Sequence, residues 1–138
     1  MKASGVSVAG IARRGERLFI ARRLPGGSLG DKWEFPGGKA EEGEAEPEAL
    51  VREFQEEFSL PIRVGRELAR AVFTHKGVKR NLRAYLIDFE TADPAKALVL
   101  HEHVEWKWAS LEEIEHLDFA PSDLKILPAL TAYLKANP

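Results

Sequence analysis

The sequence predicts an α/β sandwich in which helical regions flank a mixed β-sheet. Two observations favour this fold class: strand-like apolar segments recur along the chain, and residues 47–58 and 122–136 have helical patterns. The length of 138 residues and the hydrophobic fraction of 44% suit one compact domain, residues 1–138, with an apolar core of its own.

The N-terminal part is predicted to form two strands joined by a hairpin turn. Gly5–Ala12 and Arg17–Arg22 are the strand-like segments, and the polar residues between them suit the turn. Leu24–Lys32 contains three glycines and a proline, so a loop is expected there. Trp33–Phe35 is predicted to be a short extended piece.

The segment Pro47–Phe58 is predicted to be a helix. Proline suits the first helical position, because that residue needs no N–H donor. At about 100° per residue, four apolar side chains fall within an arc of about 100° and predict a core face. These are Leu50, Val51, Phe54 and Phe58.

The C-terminal half is predicted to add further strands and two helical pieces. The strand-like segments are Ile62–Thr74, Val78–Phe89, Val99–Leu100 and Val104–Ala109. Ser110 suits the N-cap of a short helix, with Glu113 completing a capping box. Ser122–Ala136 is helical in pattern, and Pro128 is expected to break or kink it.

Composition excludes several kinds of protein. A net charge of −2 argues against a general binder of nucleic-acid polymers or membrane surfaces. The absence of cysteine rules out disulfide frameworks and thiolate chemistry. Met1–Arg14 shows no signal peptide, and no stretch is long and apolar enough to span a membrane, so a cytoplasmic protein is expected. A basic cluster, Lys76, Lys79, Arg80 and Arg83, fits a solvated hairpin and a phosphate-facing role equally well.

The acidic face of the predicted helix is the most informative feature. Glu53, Glu56 and Glu57 share one face, since residues three and four apart are helical neighbours. Grouped carboxylates repel one another, and oxygen ligands without imidazole or thiolate favour Mg²⁺ or Mn²⁺. Arg52 can pair with Glu48 or Glu56 and so orient a carboxylate. The alternative is an ordinary, solvated acidic surface.

The glycines before the helix favour the metal hypothesis. The turn Pro36-Gly37-Gly38 allows close backbone approach, so a carbonyl there could complete a metal shell. The alternative is a plain tight turn.

Taken together, residues 38–60, GKAEEGEAEPEALVREFQEEFSL, resemble the Nudix box. The family pattern is Gly, five residues, Glu, seven residues, then Arg-Glu-apolar-any-Glu-Glu-any-Gly-apolar. The matching residues are Gly38, Glu44, Arg52, Glu53, Phe54, Glu56, Glu57 and Leu60. Ser59 replaces the glycine that commonly ends such a helix in the left-handed region, at an expected cost of roughly 1 kcal/mol unless another cap is used.

The resemblance implies the Nudix fold, a mixed β-sheet between helices, and is strongest to MutT-type nucleoside triphosphate hydrolases. It implies that Mg²⁺, or Mn²⁺ as a substitute, is held by Gly37, Glu53, Glu56, Glu57 and Glu102. It makes Glu53 and Glu56 the candidate catalytic bases, supported by Arg52. Substrate-binding positions implied in the same way are Arg23, Glu34, Phe35, Gly38, Lys39, Phe119 and Asp123.

Several of these positions keep a second interpretation. His101 and His103, on either side of Glu102, are expected to be exposed loop residues, with metal ligation as the alternative. Asp123 could instead cap a helix, and Arg23 could be an exposed strand end. Phe35 and Phe119 could stack on a base or pack in the core. Asp123 stands where the group often has asparagine, which puts a preference for oxidised guanine in doubt.

The implied activity is hydrolysis of a small-molecule nucleoside triphosphate, 8-oxo-dGTP among the candidates, to the monophosphate and pyrophosphate. Open alternatives are ADP-ribose, a dinucleoside polyphosphate or a pyrimidine nucleotide as substrate, and a non-catalytic nucleotide-binding module. No proline lies between Ile62 and Ala92 and the first tyrosine is Tyr85, which disfavours the first two. Monomer and homodimer are equally open.

Overall fold

The computed structural model describes residues 5–138. The first four residues lie outside this range. They belong to the predicted domain and to the segment in which no signal peptide is expected. The strands are β1 (Val6–Ile11), β2 (Arg13–Arg14), β3 (Arg17–Arg23), β4 (Trp33–Glu34), β5 (Gly37–Lys39), β6 (Ile62–His75), β7 (Val78–Phe89) and β8 (His103–Ala109). The helices are α1 (Glu46–Phe58), α2 (Pro94–Ala97), α3 (Leu111–Glu115), α4 (Pro121–Leu124) and α5 (Leu127–Ala136).

The strands form two four-stranded sheets. In the first, the order is β5-β1-β7-β6, and β1 runs parallel to β7 while the other pairs are antiparallel. In the second, β3 pairs with β2, β4 and β8, all antiparallel. The first sheet is therefore mixed, as predicted, but the chain builds two sheets rather than one.

Two apolar clusters hold the helices against the sheets. Leu50, Phe54 and Phe58 of α1 pack with Val8 and Phe19 on one side. On the other side, Ile20 and Leu82 of the two sheets pack with α3, α5 and the residues that flank α4, which are Ile114, Leu130, Phe119 and Ile126. Helices thus cover both sides of the β-structure, which confirms the α/β/α sandwich. No helix in the part of the chain that the structure describes is long and apolar enough to cross a bilayer.

The predicted N-terminal hairpin is wrong in its pairing. β1 belongs to the first sheet and β3 to the second, so they are not partners. The turn at Gly15 instead closes a short hairpin between β2 and β3, with Arg14 paired to Arg17. The chain changes sheets at Ala12, whose carbonyl accepts a hydrogen bond from Phe19 N.

The helix α1 begins one residue before the predicted start and ends at the predicted residue, Phe58. Its core face contains Leu50, Phe54 and Phe58, but Val51 is 41% exposed, so its assignment to the core was wrong. Val51 lies at the margin of the arc and lines an open groove between α1 and the start of β6.

The C-terminal half differs from prediction in three places. Val99–Leu100 is not a strand; Val99 N donates to Phe58 O and ties this segment to α1. The short helix α2 was not predicted, and neither was β5, which lies before α1. The helical tail is broken as expected, but Pro128 lies in the first turn of α5 and starts that helix instead of ending one. The capping box of Ser110 and Glu113 is confirmed.

Candidate active site

The glycine turn brings the backbone against the acidic face of α1. A Cβ atom on Gly38 would lie 2.4 Å from Glu53 Cδ, and one on Gly37 would lie 1.9 Å from Val8 O. A side chain is therefore excluded at Gly37 by backbone atoms, and one at Gly38 would displace the Glu53 carboxylate. The turn is held in place by the hydrogen bond from Gly10 N to Pro36 O, 2.8 Å.

The carboxylates of α1 differ sharply in exposure. The Glu56 side chain is 53% exposed and that of Glu53 only 15%, while Glu57 is buried. Burial raises the pKa of Glu53. Burial, followed by the neighbouring carboxylates Glu34, Glu53 and Glu102, raises the pKa of Glu57 well above its ordinary value. Such a site disfavours a full set of negative charges unless a cation joins it.

The donor set fits a hard divalent cation. Glu57 Oε1 is buried and has no hydrogen-bond partner within residues 5–138. Glu53 and Glu57 lie within hydrogen-bonding reach of each other, and Glu102, on an exposed loop, is close enough for its charge to act on Glu57. Carboxylate oxygens grouped in this way are the ligands that Mg²⁺ and Mn²⁺ prefer.

Arg52 connects this cluster to the loop before the helix. Its Nε and Nη2 bind both oxygens of Glu44, at 2.8 and 3.0 Å, and this hydrogen bonding lowers the pKa of Glu44 to about 2. Nη1 donates to Glu53 and Glu56 at 3.0 and 3.2 Å, and Nη2 also donates to Lys39 O. Of the two partners expected for Arg52, Glu48 and Glu56, Arg52 pairs only with Glu56.

Glu48 instead completes the start of α1. Its carboxylate accepts a hydrogen bond from Ala45 N at 3.1 Å. It is therefore not available as the partner of Arg52 that the sequence suggested.

The loop that carries Glu102 is tied to the C-terminal end of α1. Ser59 adopts the left-handed conformation expected of the glycine it replaces, with φ 55°. Its Oγ lies 2.8 Å from Nε2 of the exposed His101, and His101 N donates to Glu57 O at 3.1 Å. The serine thus gains a partner that glycine would lack.

His103 contradicts the expectation of an exposed loop residue. Its side chain is fully buried, stacks on Phe58 with ring centroids 5.1 Å apart, and pairs through Nε2 with Glu34 Oε2 at 2.8 Å. Possible ligand atoms of Glu34, Glu57 and His103 lie within 4.8 Å of one another, so this group could also hold a metal ion. The burial of His103 could not be predicted from the alternation of inward and outward side chains along β8, because His103 is the first residue of that strand.

A cavity of about 240 Å³ lies beside the carboxylate cluster, between the two sheets. Six of the predicted substrate residues line it: Arg23, Glu34, Phe35, Gly38, Lys39 and Asp123. Phe119 is buried behind Phe35, in an edge-to-face contact with centroids 5.1 Å apart, and is not among the lining residues. Arg23 Nη1 lies 3.4 Å from Glu34 Oε2, so this strand-end arginine faces the cavity.

Asp123 does not cap a helix. Ala120 is the N-cap of α4, and Asp123 Oδ2 instead accepts a hydrogen bond from Phe35 N at 2.9 Å. Burial, followed by the charge of Glu34, raises the pKa of Asp123 to about 7. At neutral pH this group can therefore both donate and accept hydrogen bonds.

The basic cluster predicted on the hairpin does not act as a unit. Lys76 and Lys79 are exposed, and Arg83 pairs with Glu46. Arg80 is buried and lines the cavity, which sequence reasoning did not distinguish from its neighbours. Alternate residues of a strand share one face, so Arg80 lies on the same face of β7 as Leu82 and Ala84. This spacing could have predicted its burial.

Comparison with known proteins assigns the family. The NUDIX domain matches residues 1–130. The chain is 33% identical over 131 residues to the CTP pyrophosphohydrolase of Escherichia coli, covering 95% of this chain and 94% of the relative. It is 32% identical over 125 residues to the putative 8-oxo-dGTP diphosphatase 2 of Mycobacterium tuberculosis, covering 86% and 82%.

Solved structures agree with this assignment. The solution structure of the E. coli ORF135 protein matches with a TM-score of 0.82 and 34% identity, covering 96% of this chain and 92% of that one. A MutT protein from Methanosarcina mazei Go1, 24% identical, shares the fold with a TM-score of 0.77, covering 96% and 94%. The chain belongs to the NUDIX family. Within that family it is a hydrolase acting on phosphoanhydride bonds.

Proposed function

We propose that the protein hydrolyses a nucleoside triphosphate to the monophosphate and pyrophosphate, with Mg²⁺ as cofactor and Mn²⁺ as a substitute. The observation that carries the proposal is the unpartnered, buried Oε1 of Glu57 among the carboxylates of α1. Burying a carboxylate oxygen without a partner is costly. A divalent cation would supply the missing partner and would turn an anion-repelling cluster into a phosphate-binding one.

Five groups would hold the metal: the carboxylates of Glu53, Glu56, Glu57 and Glu102, and the carbonyl of Gly37. A metal bound there would neutralise charge on phosphoryl oxygens and would lower the pKa of a bound water. Glu34 and His103 lie beside Glu57, where their mutual hydrogen bond orients both side chains.

The protein's own groups would handle the proton and the charge. Glu53 or Glu56 takes the proton of the attacking water as it forms a bond to phosphorus, and pyrophosphate leaves with the electrons of the broken P–O bond. Arg52 holds both carboxylates in position, while Arg23 and Lys39 offset the charge of the phosphates.

The nucleobase would occupy the cavity lined by Glu34, Phe35 and Asp123, with Gly38 at its phosphate side and Phe119 supporting Phe35 from the core. Two kinds of base have support from relatives. The resemblance to proteins named 8-oxo-dGTP diphosphatase favours an oxidised guanine nucleotide. The relative named CTP pyrophosphohydrolase, which covers 95% of the chain, favours a cytidine nucleotide as second candidate.

Pyrophosphate release tests the proposal. The substrates are CTP, dGTP, 8-oxo-dGTP, ADP-ribose and a dinucleoside polyphosphate, ranked by kcat/KM with and without Mg²⁺. Glu57→Gln and Glu53→Gln should each lower kcat about 100-fold or more for the preferred triphosphate. Glu48→Gln is the matched control, because Glu48 lies on the same helix and glutamine can keep its cap bond to Ala45 N.

Near-normal turnover in both variants would show that the carboxylates of α1 are not the metal site. A preference for ADP-ribose or the dinucleoside polyphosphate would be compatible with the proposed metal site but would refute the nucleoside triphosphate as substrate.

A further inference from the structure

Arg80 is a buried cation that the proposed mechanism does not use. It is 8% exposed and lies on the inward face of β7, opposite Phe73 of β6. Its Nε has no hydrogen-bond partner within residues 5–138. The hydrogen bond that the structure records for its side chain there is a long one, from Nη2 to Ser7 Oγ at 3.4 Å. Residues 1–4 contain no carboxylate.

This arrangement is unfavourable in the protein alone. A guanidinium has five N–H donors in a fixed plane, and here Nε is buried without a partner while the side chain lines the cavity. A buried charge is normally paired. An arginine whose donors are largely unused can therefore bind acceptors of a molecule that enters the cavity.

Arg80 lines the same cavity as Glu34 and Asp123. Those two carboxyl groups bind Arg23, His103 and Phe35 N, so their hydrogen bonds do not involve Arg80. Phe35, Phe73 and Leu82 provide apolar walls between the polar groups. A flat, partly polar ligand fits such walls better than a phosphate, which is fully hydrated and strongly anionic.

We propose that Arg80 is a specificity-determining residue that reads the nucleobase. Its free N–H groups donate to a ring carbonyl and an adjacent unprotonated ring nitrogen, as in O2 and N3 of cytosine or O6 and N7 of guanine. Arginine forms side-by-side hydrogen bonds with this acceptor pair. Uracil has N3–H beside its carbonyls, and adenine has an amino group in place of a carbonyl, so neither offers the pair. The inference rests on the proposed nucleotide hydrolysis and adds the base class. A guanine oxidised at C8 carries N7–H and lacks the acceptor pair, so the inference favours the cytidine nucleotide over 8-oxo-dGTP.

The test compares Arg80→Met with Lys79→Met. Both remove one positive charge from β7, but Lys79 is exposed and does not line the cavity. In the wild type, kcat/KM for CTP and GTP should exceed that for UTP and ATP. Arg80→Met should reduce kcat/KM for CTP and GTP by about tenfold or more and leave kcat/KM for UTP and ATP nearly unchanged. Lys79→Met should change kcat/KM for none of the four. Calorimetric binding of CMP and UMP without metal should show the same loss of preference.

Each other outcome is decisive. An equal loss for all four triphosphates would mean that Arg80 contacts phosphate, and an unchanged ranking would mean that it is structural; both overturn the proposal. If Arg80→Met does not fold, Arg80→Lys keeps the buried charge but cannot donate two parallel hydrogen bonds, so it must also lose the preference. A wild type that hydrolyses neither these four nor 8-oxo-dGTP would refute the proposed function, while monophosphate binding would still test Arg80.

Discussion

Asp123 shows how one residue's surroundings can change what a carboxyl group does. It is buried close to Glu34, and although Phe35 N donates a hydrogen bond to it, burial and the repulsion from Glu34 prevail. The pKa of Asp123 therefore rises to about 7. A protonated Asp123 presents a donor and an acceptor to a base, much as asparagine would. The sequence showed the substitution of aspartate for asparagine, but the protonation state depends on burial that only the fold creates.

Asp123→Asn should reveal this shift in the pH dependence of stability. In the unfolded chain the carboxyl ionises near 3.8, and in the folded chain near 7. The folded state thus binds more protons between these values, and wild-type stability contributed by this group falls as pH rises through the interval. Asparagine does not titrate.

The measurement is the free energy of unfolding in urea for both proteins across this pH range. Asp123→Asn should gain stability relative to the wild type as pH rises from 3.8 to about 7, and the difference should level off above that. A difference that does not vary with pH would contradict the assigned ionisation.

At the scale of one element, α1 is held at both ends by contacts that also position its carboxylates. From the middle of the helix, Arg52 binds Glu44 and the carbonyl of Lys39, which both precede its start. At its end, Ser59 takes the left-handed conformation and bonds to His101, next to Glu102. The helix and the loop that supply the carboxylates are therefore one connected unit.

Ser59→Gly and Ser59→Ala separate two effects at the end of α1: the strain of the left-handed conformation and the hydrogen bond from Ser59 to His101. Glycine relieves a left-handed strain of about 1 kcal/mol but loses a hydrogen bond of similar worth, so its stability should stay within about 0.5 kcal/mol of wild type. Alanine loses the bond and keeps the strain, so it should be less stable by about 1 kcal/mol. Urea unfolding measures both. An alanine variant as stable as the glycine variant would show that the left-handed conformation carries no strain.

Individual helices and strands differ in how well the sequence predicted them. The helix α1 was predicted almost to the residue because a proline start and a period near 3.6 are local signals. The pairing of β1 was missed because a strand's own residues do not specify its neighbours, and β1 pairs with β5 and with β7, which lies far along the sequence. The exposure of Val51 and the burial of His103 likewise depend on which element covers them.

For the whole molecule, the site lies where the two sheets meet beside α1. The first sheet supplies the glycine turn and Arg80, the second supplies Arg23 and Glu34, and α1 supplies the carboxylates. The Nudix box motif allowed the grouping of the α1 carboxylates with the glycine turn to be predicted, since these residues lie close together in sequence. The opposite wall of the cavity was only partly predicted, because it gathers residues as distant as Ser7 and Asp123.

Binding of Mn²⁺, followed by electron paramagnetic resonance without nucleotide, tests the central claim that the carboxylates of α1 hold a divalent cation. The wild type and Glu48→Gln should bind Mn²⁺ saturably with similar affinity. Glu57→Gln should bind about tenfold more weakly or worse, because it removes a buried ligand oxygen. Equal Mn²⁺ affinity in Glu57→Gln and the wild type would contradict the account.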